Sequence, residues 1–340
     1  MRRALLCAIA VGIAVTGLFA RCGMAQDVPP GFGAAPFARI GVDARSLAMG
    51  GAGVAVAAGA TSPYYNPSLL ANAPMLDVGG MYSEPYGQDL GISFQSLCVQ
   101  GQLGDVADAT TSVGVSLTWM QMSISDIPVW DEDDPTATYY FTATSSLYLV
   151  SAGVWILPEL SMGLSGRIYR ENVLEGRGRG LGVDLAALAS FDIEGIPVWV
   201  GINSMDVGQT NVRWHDTLGE PDNYVPWVNK VGVAALLFER RGLLALDFDW
   251  AVGRPLREQK FHLGVEGRPV DALTVRAGWT GDLEGLDPRL TFGVGIDFFD
   301  SFRLDYAYVP PRTIYGTGHF LSLHLTFPLP EEWLNMAPGR

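Results

Sequence analysis

The sequence predicts an all-β protein: a transmembrane antiparallel β-barrel of about fourteen strands with a short N-terminal helical plug in the lumen. Three observations predict it. Beyond residue 74, apolar and polar residues alternate at period two over many segments, the mark of strands with one apolar and one polar face. Charged residues are only 17% of the chain, against roughly 25% in an average soluble protein, while aromatics reach 11% and glycines number 41. No window after the N-terminus approaches the ~18 consecutive apolar residues of a spanning helix. A closed barrel is then the remaining structure that satisfies its backbone polar groups in lipid. The net charge of −14, with no Lys/Arg cluster, excludes a nucleic-acid partner.

The chain begins MRRALLCAIAVGIAVTGLFARCGMA. Arg2 and Arg3 form a basic start, the run 4–20 is apolar, and Gly23 and Ala25 are the small residues a signal peptidase reads. Cleavage is expected after Ala25. A lipoprotein reading of Cys22 is discounted because Arg21 precedes it, where a small side chain is needed. Export leaves Cys98 as the lone cysteine of the mature chain, without a disulfide partner. No CxxC or His/Cys pair exists to hold a metal, and no cofactor is expected.

Residues 26–74 form a separate N-terminal segment. Its first part, 27–37, is Pro/Gly-rich and extended. The stretch 44–71, ARSLAMGGAGVAVAAGATSPYYNPSLLA, is too rich in Gly and Ala for an amphipathic helix and lacks a strand's alternation. It reads as an insert held by the rest of the chain. Near its end, Asn66 before Pro67 predicts a short helix over 67–71: the Asn side chain caps free amides, and Pro at the first position loses no hydrogen bond.

The barrel is placed at 75–328, followed by a tail at 329–340. Its strands are predicted at 75–83, 90–100, 111–122, 143–156, 160–172, 179–191, 195–206, 227–238, 242–252, 259–268, 272–281, 288–298, 301–310 and 318–328. The clearest pattern sets Leu290, Phe292, Val294, Ile296 and Phe298 against Thr291, Gly293, Gly295 and Asp297. Short turns at 239–241, 270–271 and 300–301 belong to the periplasmic end, and long loops at 123–142 and 206–226 to the outer end. Trp119, Trp155, Trp250, Trp279, Tyr308 and Phe327 suit interfacial aromatic girdles. A soluble β-sandwich also alternates, but would leave an outer surface of Gly, Ser and Thr with sparse charge.

The 44–71 stretch resembles the N-terminal signature of the PorV/PorQ family of outer-membrane proteins, related to the FadL-type long-chain fatty-acid transporters. There an Ala-Arg-Ser-Leu-x-Met-Gly-Gly run leads to Tyr-Tyr-Asn-Pro-x-x-Leu-Ala. LSMGLSGRIYRENV, GLGVDLAAL, the Gly201-Ile202-Asn203 region and RLDYAYVPPRTIYGTGHFLSLHLTF extend the similarity over the mature chain. The resemblance implies a fourteen-stranded outer-membrane barrel, reached by export, whose N-terminal segment folds into the lumen as a plug. Two departures stand out: Asn66-Pro67-Ser68-Leu69 replaces the usual Asn-Pro-Ala-Gly, and PLPEEWLNMAPGR continues past the terminal aromatic Phe327.

On this reading the plug and gate residues are Arg45, Leu47, Met49, Gly50, Gly51, Val54, Val56, Tyr64, Tyr65, Asn66 and Pro67. Asp247, Asp249, His262, Glu266, Arg276, Asp297, Arg303, Asp305 and His324 face the lumen, where acids and bases on neighbouring strands pair across the wall. A structural ion-pair lattice is weighed there against a polar substrate track. His215, His262, His319 and His324 lack i,i+4 spacing, so no metal site is read from them. The segment around Ser161 is no nucleophile elbow, GRGRG at 176–180 reads as a flexible turn, and the acidic loop 131–134 is a surface loop with cation-binding potential. No catalytic set stands out, and the chain is not expected to be an enzyme. Two functions remain. One is passage of small hydrophobic molecules, with outer-membrane lipid and a small hydrophobic ligand as partners. The other is a scaffold or shuttle for secretion machinery or secreted cargo, akin to type IX secretion.

Overall fold

The computed structural model describes residues 34–72, 75–85, 91–105, 112–131, 134–217, 222–252, 259–282, 288–299, 301–310 and 318–328. The expectations for the leader at 1–25, for the side chains at 131–134 and for the tail at 329–340 lie outside the described residues.

Sixteen strands are described: β1 (Met75–Ser83), β2 (Ile92–Asp105), β3 (Ser112–Asp131), β4 (Asp134–Leu157), β5 (Leu160–Val173), β6 (Gly176–Ile193), β7 (Ile196–Met205), β8 (Thr210–His215), β9 (Asp222–Val225), β10 (Val228–Leu237), β11 (Gly242–Ala251), β12 (Lys260–Val270), β13 (Leu273–Asp282), β14 (Arg289–Phe298), β15 (Phe302–Tyr308) and β16 (His319–Pro328). Fourteen of them, β1–β7 and β10–β16, pair antiparallel in a ring that closes through β1 with β16. Closure leaves this ring no unpaired edge. Met75 pairs with Pro328, so the barrel starts and finishes at one end, called the near end here.

Alternation sorts the side chains as the period-two pattern requires. On β14, Phe292 is 51% exposed on the outside while Thr291 is 1% exposed on the inside. Leu117, Leu164, Leu181, Leu246, Val265 and Val275 continue the outer apolar band on other strands. An apolar surface that encircles the molecule is far larger than a water-soluble monomer exposes, and it matches a hydrocarbon surround. The outer face carries an aromatic cluster of Phe248, stacked at 5.7 Å on Trp250 and 4.7 Å from Phe261.

Four local expectations are corrected. The predicted loop 123–142 is mostly strand: β3 and β4 continue their pairing beyond Ile124 and Ala143, through Ile127–Phe141 and Val129–Tyr139. The polar run DEDDP hides this, because cross-strand hydrogen bonds need no apolar side chains. The predicted loop 206–226 contains the β8–β9 hairpin, and β8 pairs with the far part of β6 at Arg177–Gly180. GRGRG is therefore strand and not a turn: its glycines lie under Val212 and Trp214, and Arg177 and Arg179 point outward. Trp155 shares the inward face of Ser151 and Gly153, so it is no girdle residue; its Nε1 donates to the Ala71 carbonyl at 2.9 Å.

Candidate functional site: the filled lumen

The described N-terminal segment lies inside the ring, running from the far end to the near end. At the far end the Ala34 amide donates to the Tyr224 carbonyl of β9 at 3.1 Å, and the Ala35 amide to Glu171 of β5 at 3.1 Å. Asp43 caps the helix Ala44–Ala48 by accepting from the Ser46 amide. Gly50 and Gly51 follow with φ of 72° and 92°, a left-handed turn open to glycine. Ser62–Tyr65 forms one more helical turn. Asn66 then closes that turn and its Oδ1 accepts from the Ser68 amide at 3.0 Å, opening the 3-10 helix Pro67–Asn72. The predicted short helix is thus present, in the tighter 3-10 form.

Glycines of the wall let this segment approach. Gly114, Gly153 and Gly163 form one cross-strand row on β3, β4 and β5. The backbone of 67–71 sits on that row so closely that a methyl group at Gly114 or Gly163 would collide with it. Gly201 and Gly232, paired on β7 and β10, receive Val54; Gly264 and Gly278, paired on β12 and β13, receive Met49 and Gly50. Paired glycines on an inner face are the wall's half of a backbone-to-sheet contact.

Wall side chains hydrogen-bond the segment's backbone. Asp247 accepts from the amides of Gly53 at 2.7 Å and Val54 at 2.9 Å. Thr291 Oγ1 donates to the Ala48 carbonyl at 2.8 Å and accepts from the Gly50 amide at 3.0 Å. His262 Nδ1 lies 2.7 Å from the Gly50 carbonyl. Asn203 donates to the Tyr65 carbonyl at 2.8 Å, Ser96 to Val42 at 3.0 Å, and Ser322 accepts from Ala44 at 3.1 Å. Most of these bonds satisfy backbone groups that the irregular segment leaves without a backbone partner, while the Gly50 amide also donates to the Leu47 carbonyl at 3.1 Å.

Charged residues form three sets. The longest starts on the plug: Arg45 pairs with Glu266 at 2.9 Å, Glu266 with Arg276 at 2.6 Å, Arg276 with Asp305 at 2.7 Å, and Asp305 with Arg303 at 3.1 Å. Asp297, 3.7 Å from Arg303 and 3.8 Å from Arg268, extends it toward the near end. The second joins Lys230 to Asp249 at 2.6 Å and Asp249 to His262 Nε2 at 3.3 Å. Asp247 belongs to neither, since plug amides occupy it, and His324 stands apart beside Gly59 and Gly79, near Asp77.

The third set is absent from the sequence reading. Arg167, 1% exposed, pairs with Asp184 at 2.6 Å and approaches Asp206 at 3.9 Å; Tyr169 donates to Asp206 at 2.8 Å, as does Thr210 at 2.7 Å. Arg167 continues the inward phase of Ser161 and Ser165, and Asp184 that of Ala186. Those phases were the available signal. This set ties β5 and β6 to the start of β8.

The remaining plug residues are packed. Met49 and Val54 are each 1% exposed, Tyr64 and Tyr65 are buried edge to face at 4.9 Å, and Leu47 and Val56 are half-buried against the core. Burial pushes the Tyr64 phenol up and the Tyr65 phenol well above its ordinary value, so both stay neutral; Tyr64 donates to the Ala38 carbonyl at 2.7 Å. Among the described residues, no group of three or more His, Cys, Asp or Glu side chains could hold a metal ion.

No family model and no curated protein sequence matches the chain. Solved structures do. A TodX monoaromatic hydrocarbon channel, a ΔS2S3 mutant, aligns with a TM-score of 0.54 at 13% identity, covering 85% of this chain and 99% of that one. A FadL homologue from Pseudomonas aeruginosa aligns with a TM-score of 0.52 at 12% identity, covering 84% and 98%. At such identities the likeness shows the fold, and the fold is that of these FadL-type barrels.

Proposed function

We propose that this chain is a bacterial outer-membrane barrel of the FadL-like, PorV/PorQ type that passes small hydrophobic molecules, with its N-terminal segment as the plug. The carrying observation is the uncharged inner wall of β2–β4. Phe94, Met120, Leu147 and Leu149, all 0% exposed, line its far half. Toward the near end the same wall meets the 3-10 helix Pro67–Asn72, seated on the Gly114–Gly153–Gly163 row. An apolar solute loses little on leaving hydrocarbon for such a wall, whereas an ion would lose its hydration. The helix Pro67–Asn72 is the gate, and its displacement opens the route. The channel described as passing monoaromatic hydrocarbons is similar in fold, which agrees with a solute of this class.

The protein purified in detergent should carry an elongated apolar ligand against Phe94 and Met120. Vesicles containing it should take up an apolar aromatic probe while staying tight to ions. Vesicles that take up the probe no faster than empty ones would overturn the transport reading. Heat-modifiable gel mobility tests the barrel itself.

One observation favours the secretion-scaffold reading. Past Ile124 and Ala143 the β3–β4 ribbon extends beyond its pairings with β2 and β5, and Trp130, Tyr139 and Tyr140 on it are 59%, 49% and 63% exposed. Exposed aromatics on a projecting ribbon suit capture of a protein partner. Copurification of secretion components, lost on trimming this ribbon, with probe uptake unchanged by loss of the protein, would favour this reading over transport.

A further inference from the structure

The outer wall has a notch near its near end. Gly242 of β11 and Gly267 of β12 are directly paired and both face outward; the Phe238 ring lies over Gly242, and Gly267 leaves a gap in the apolar band beside it. The hollow has a volume of about 450 Å³ and is walled by Leu237, Leu244, Val265 and Val275, with Phe238 and Pro269 below. A Cβ on Gly267 would have only a Val275 methyl, 3.8 Å away, in reach. Strongly exposed apolar residues stand at this end of the barrel: Phe238 at 80%, Phe299 at 93% and Val270 at 55%. Their exposure sets the level where hydrocarbon meets headgroups.

Charge rims the notch. Arg241 and Arg268 line it, with side chains 57% and 43% exposed. Arg241 Nη1 donates to the Arg268 carbonyl at 3.3 Å, fixing the guanidinium at the rim, and its Nη2 reaches Asp271 at a long 3.5 Å. Asp271 is itself 94% exposed. Arg268 lies 3.8 Å from Asp297, a long contact that leaves its guanidinium 43% exposed. Apolar walls, two exposed guanidiniums and the exposed Asp271 carboxylate are complementary to a molecule with an acyl chain, a phosphate and an ammonium.

We propose that this notch is a binding site for one phospholipid with an amine headgroup. The acyl chain fills the space over Gly267 beside the Phe238 ring, Arg241 and Arg268 hold the phosphate, and Asp271 faces the ammonium. Guanidinium groups bind phosphate through paired charge-assisted hydrogen bonds, which sets this lipid apart from those that merely surround the barrel. The inference rests on the membrane reading of the fold and on neither the plug nor the cargo.

The test is the phospholipid retained by the full chain after extensive washing in mild detergent, measured by native mass spectrometry and by phosphorus content after extraction. One tightly held aminophospholipid per chain is expected. The double variant Arg241→Gln/Arg268→Gln should lower its retention about tenfold, the loss expected for a charge-assisted phosphate contact. Gly267→Leu, which fills the notch from a position with room, should lower it similarly. Equal retention by wild type and both variants would overturn the proposal. So would a retained phosphorus-free hydrocarbon that ignores the arginines. Heat-modifiable mobility of each variant reports folding separately: a protein soluble without detergent would sink the membrane reading, whereas a folded barrel without bound phospholipid would sink this inference alone.

Discussion

The two sides of the lumen are built on different chemistry. On β2–β4 the described inward side chains include Phe94, Ser96, Cys98, Gln100, Ser116, Thr118, Met120, Leu147, Leu149 and Ser151, without an ionisable carboxylate, amine or guanidinium among them. On β10–β15 the inward set includes Lys230, Asp247, Asp249, His262, Glu266, Arg276, Asp297, Arg303 and Asp305. One ion-pair set, through Glu266, Arg276, Asp305, Arg303 and Asp297, reaches the plug at Arg45, and a second joins Lys230, Asp249 and His262. Both walls touch the same segment, yet they hold it differently. The charged wall supplies directional bonds to Gly50, Gly53 and Val54; the uncharged wall supplies mainly packing and a glycine seat. Directional bonds resist displacement, and a packed seat yields more easily. The segment is accordingly bonded on one side and packed on the other, the asymmetry that the proposed gate at Pro67–Asn72 would use.

That contrast can be broken. The largest effect is expected from removing residues 34–71: vesicles containing the truncated barrel should conduct ions, and planar-bilayer recording would show it. Next is Arg276→Ala. This side chain, 0% exposed, bridges Glu266 and Asp305, and losing it leaves Glu266 with Arg45 alone and Asp305 with Arg303 alone, at a cost of about 3 kcal/mol, the low end for a broken buried pair. The temperature at which the folded band converts to the unfolded one should fall sharply. Asp247→Ala leaves the Gly53 and Val54 amides without their acceptor and should cost about 2–3 kcal/mol, read as faster proteolysis of the plug with the barrel intact.

Gly153→Val sharpens the contrast from the other side. The new side chain would meet Pro67 and Leu70, so it should unseat the helix Pro67–Asn72 and speed uptake of an apolar probe while the charged anchor survives. The smallest effect should come from Arg241→Ala at the exposed Arg241–Asp271 pair. A surface pair of this kind contributes under about 1 kcal/mol, and the melting transition should stay near that of the wild type.

Much of the architecture was legible from periodicity. Strands such as β13, β14 and β16 present one strict face each, and a one-residue slip would turn every Leu and Phe of Leu290–Phe298 inward, so register was readable too. The Asn66–Pro67 pair announced the helix that follows because its capping chemistry is local. What stayed hidden depends on distant partners. Arg45 and Glu266 lie 221 positions apart, and Arg276 and Asp305 lie 29 apart; ring closure alone brings them together. Gly114, Gly153 and Gly163 each read singly as strand weakness, and become a seat only when register aligns them. The β3–β4 ribbon was hidden for the opposite reason. Its backbone pairs through a stretch whose composition reads as loop.

The most direct measurement of the two-walled account is photolabelling by a small apolar solute bearing a diazirine, during passage through vesicle-embedded protein, with the labelled residues mapped by mass spectrometry. The account predicts lumen-facing labels on Phe94, Met120, Leu147 and Leu149 of β2–β4. Lumen labels concentrated instead around Asp249, His262 and Arg276 on β11–β13, or labels on outward-facing residues alone, would contradict it.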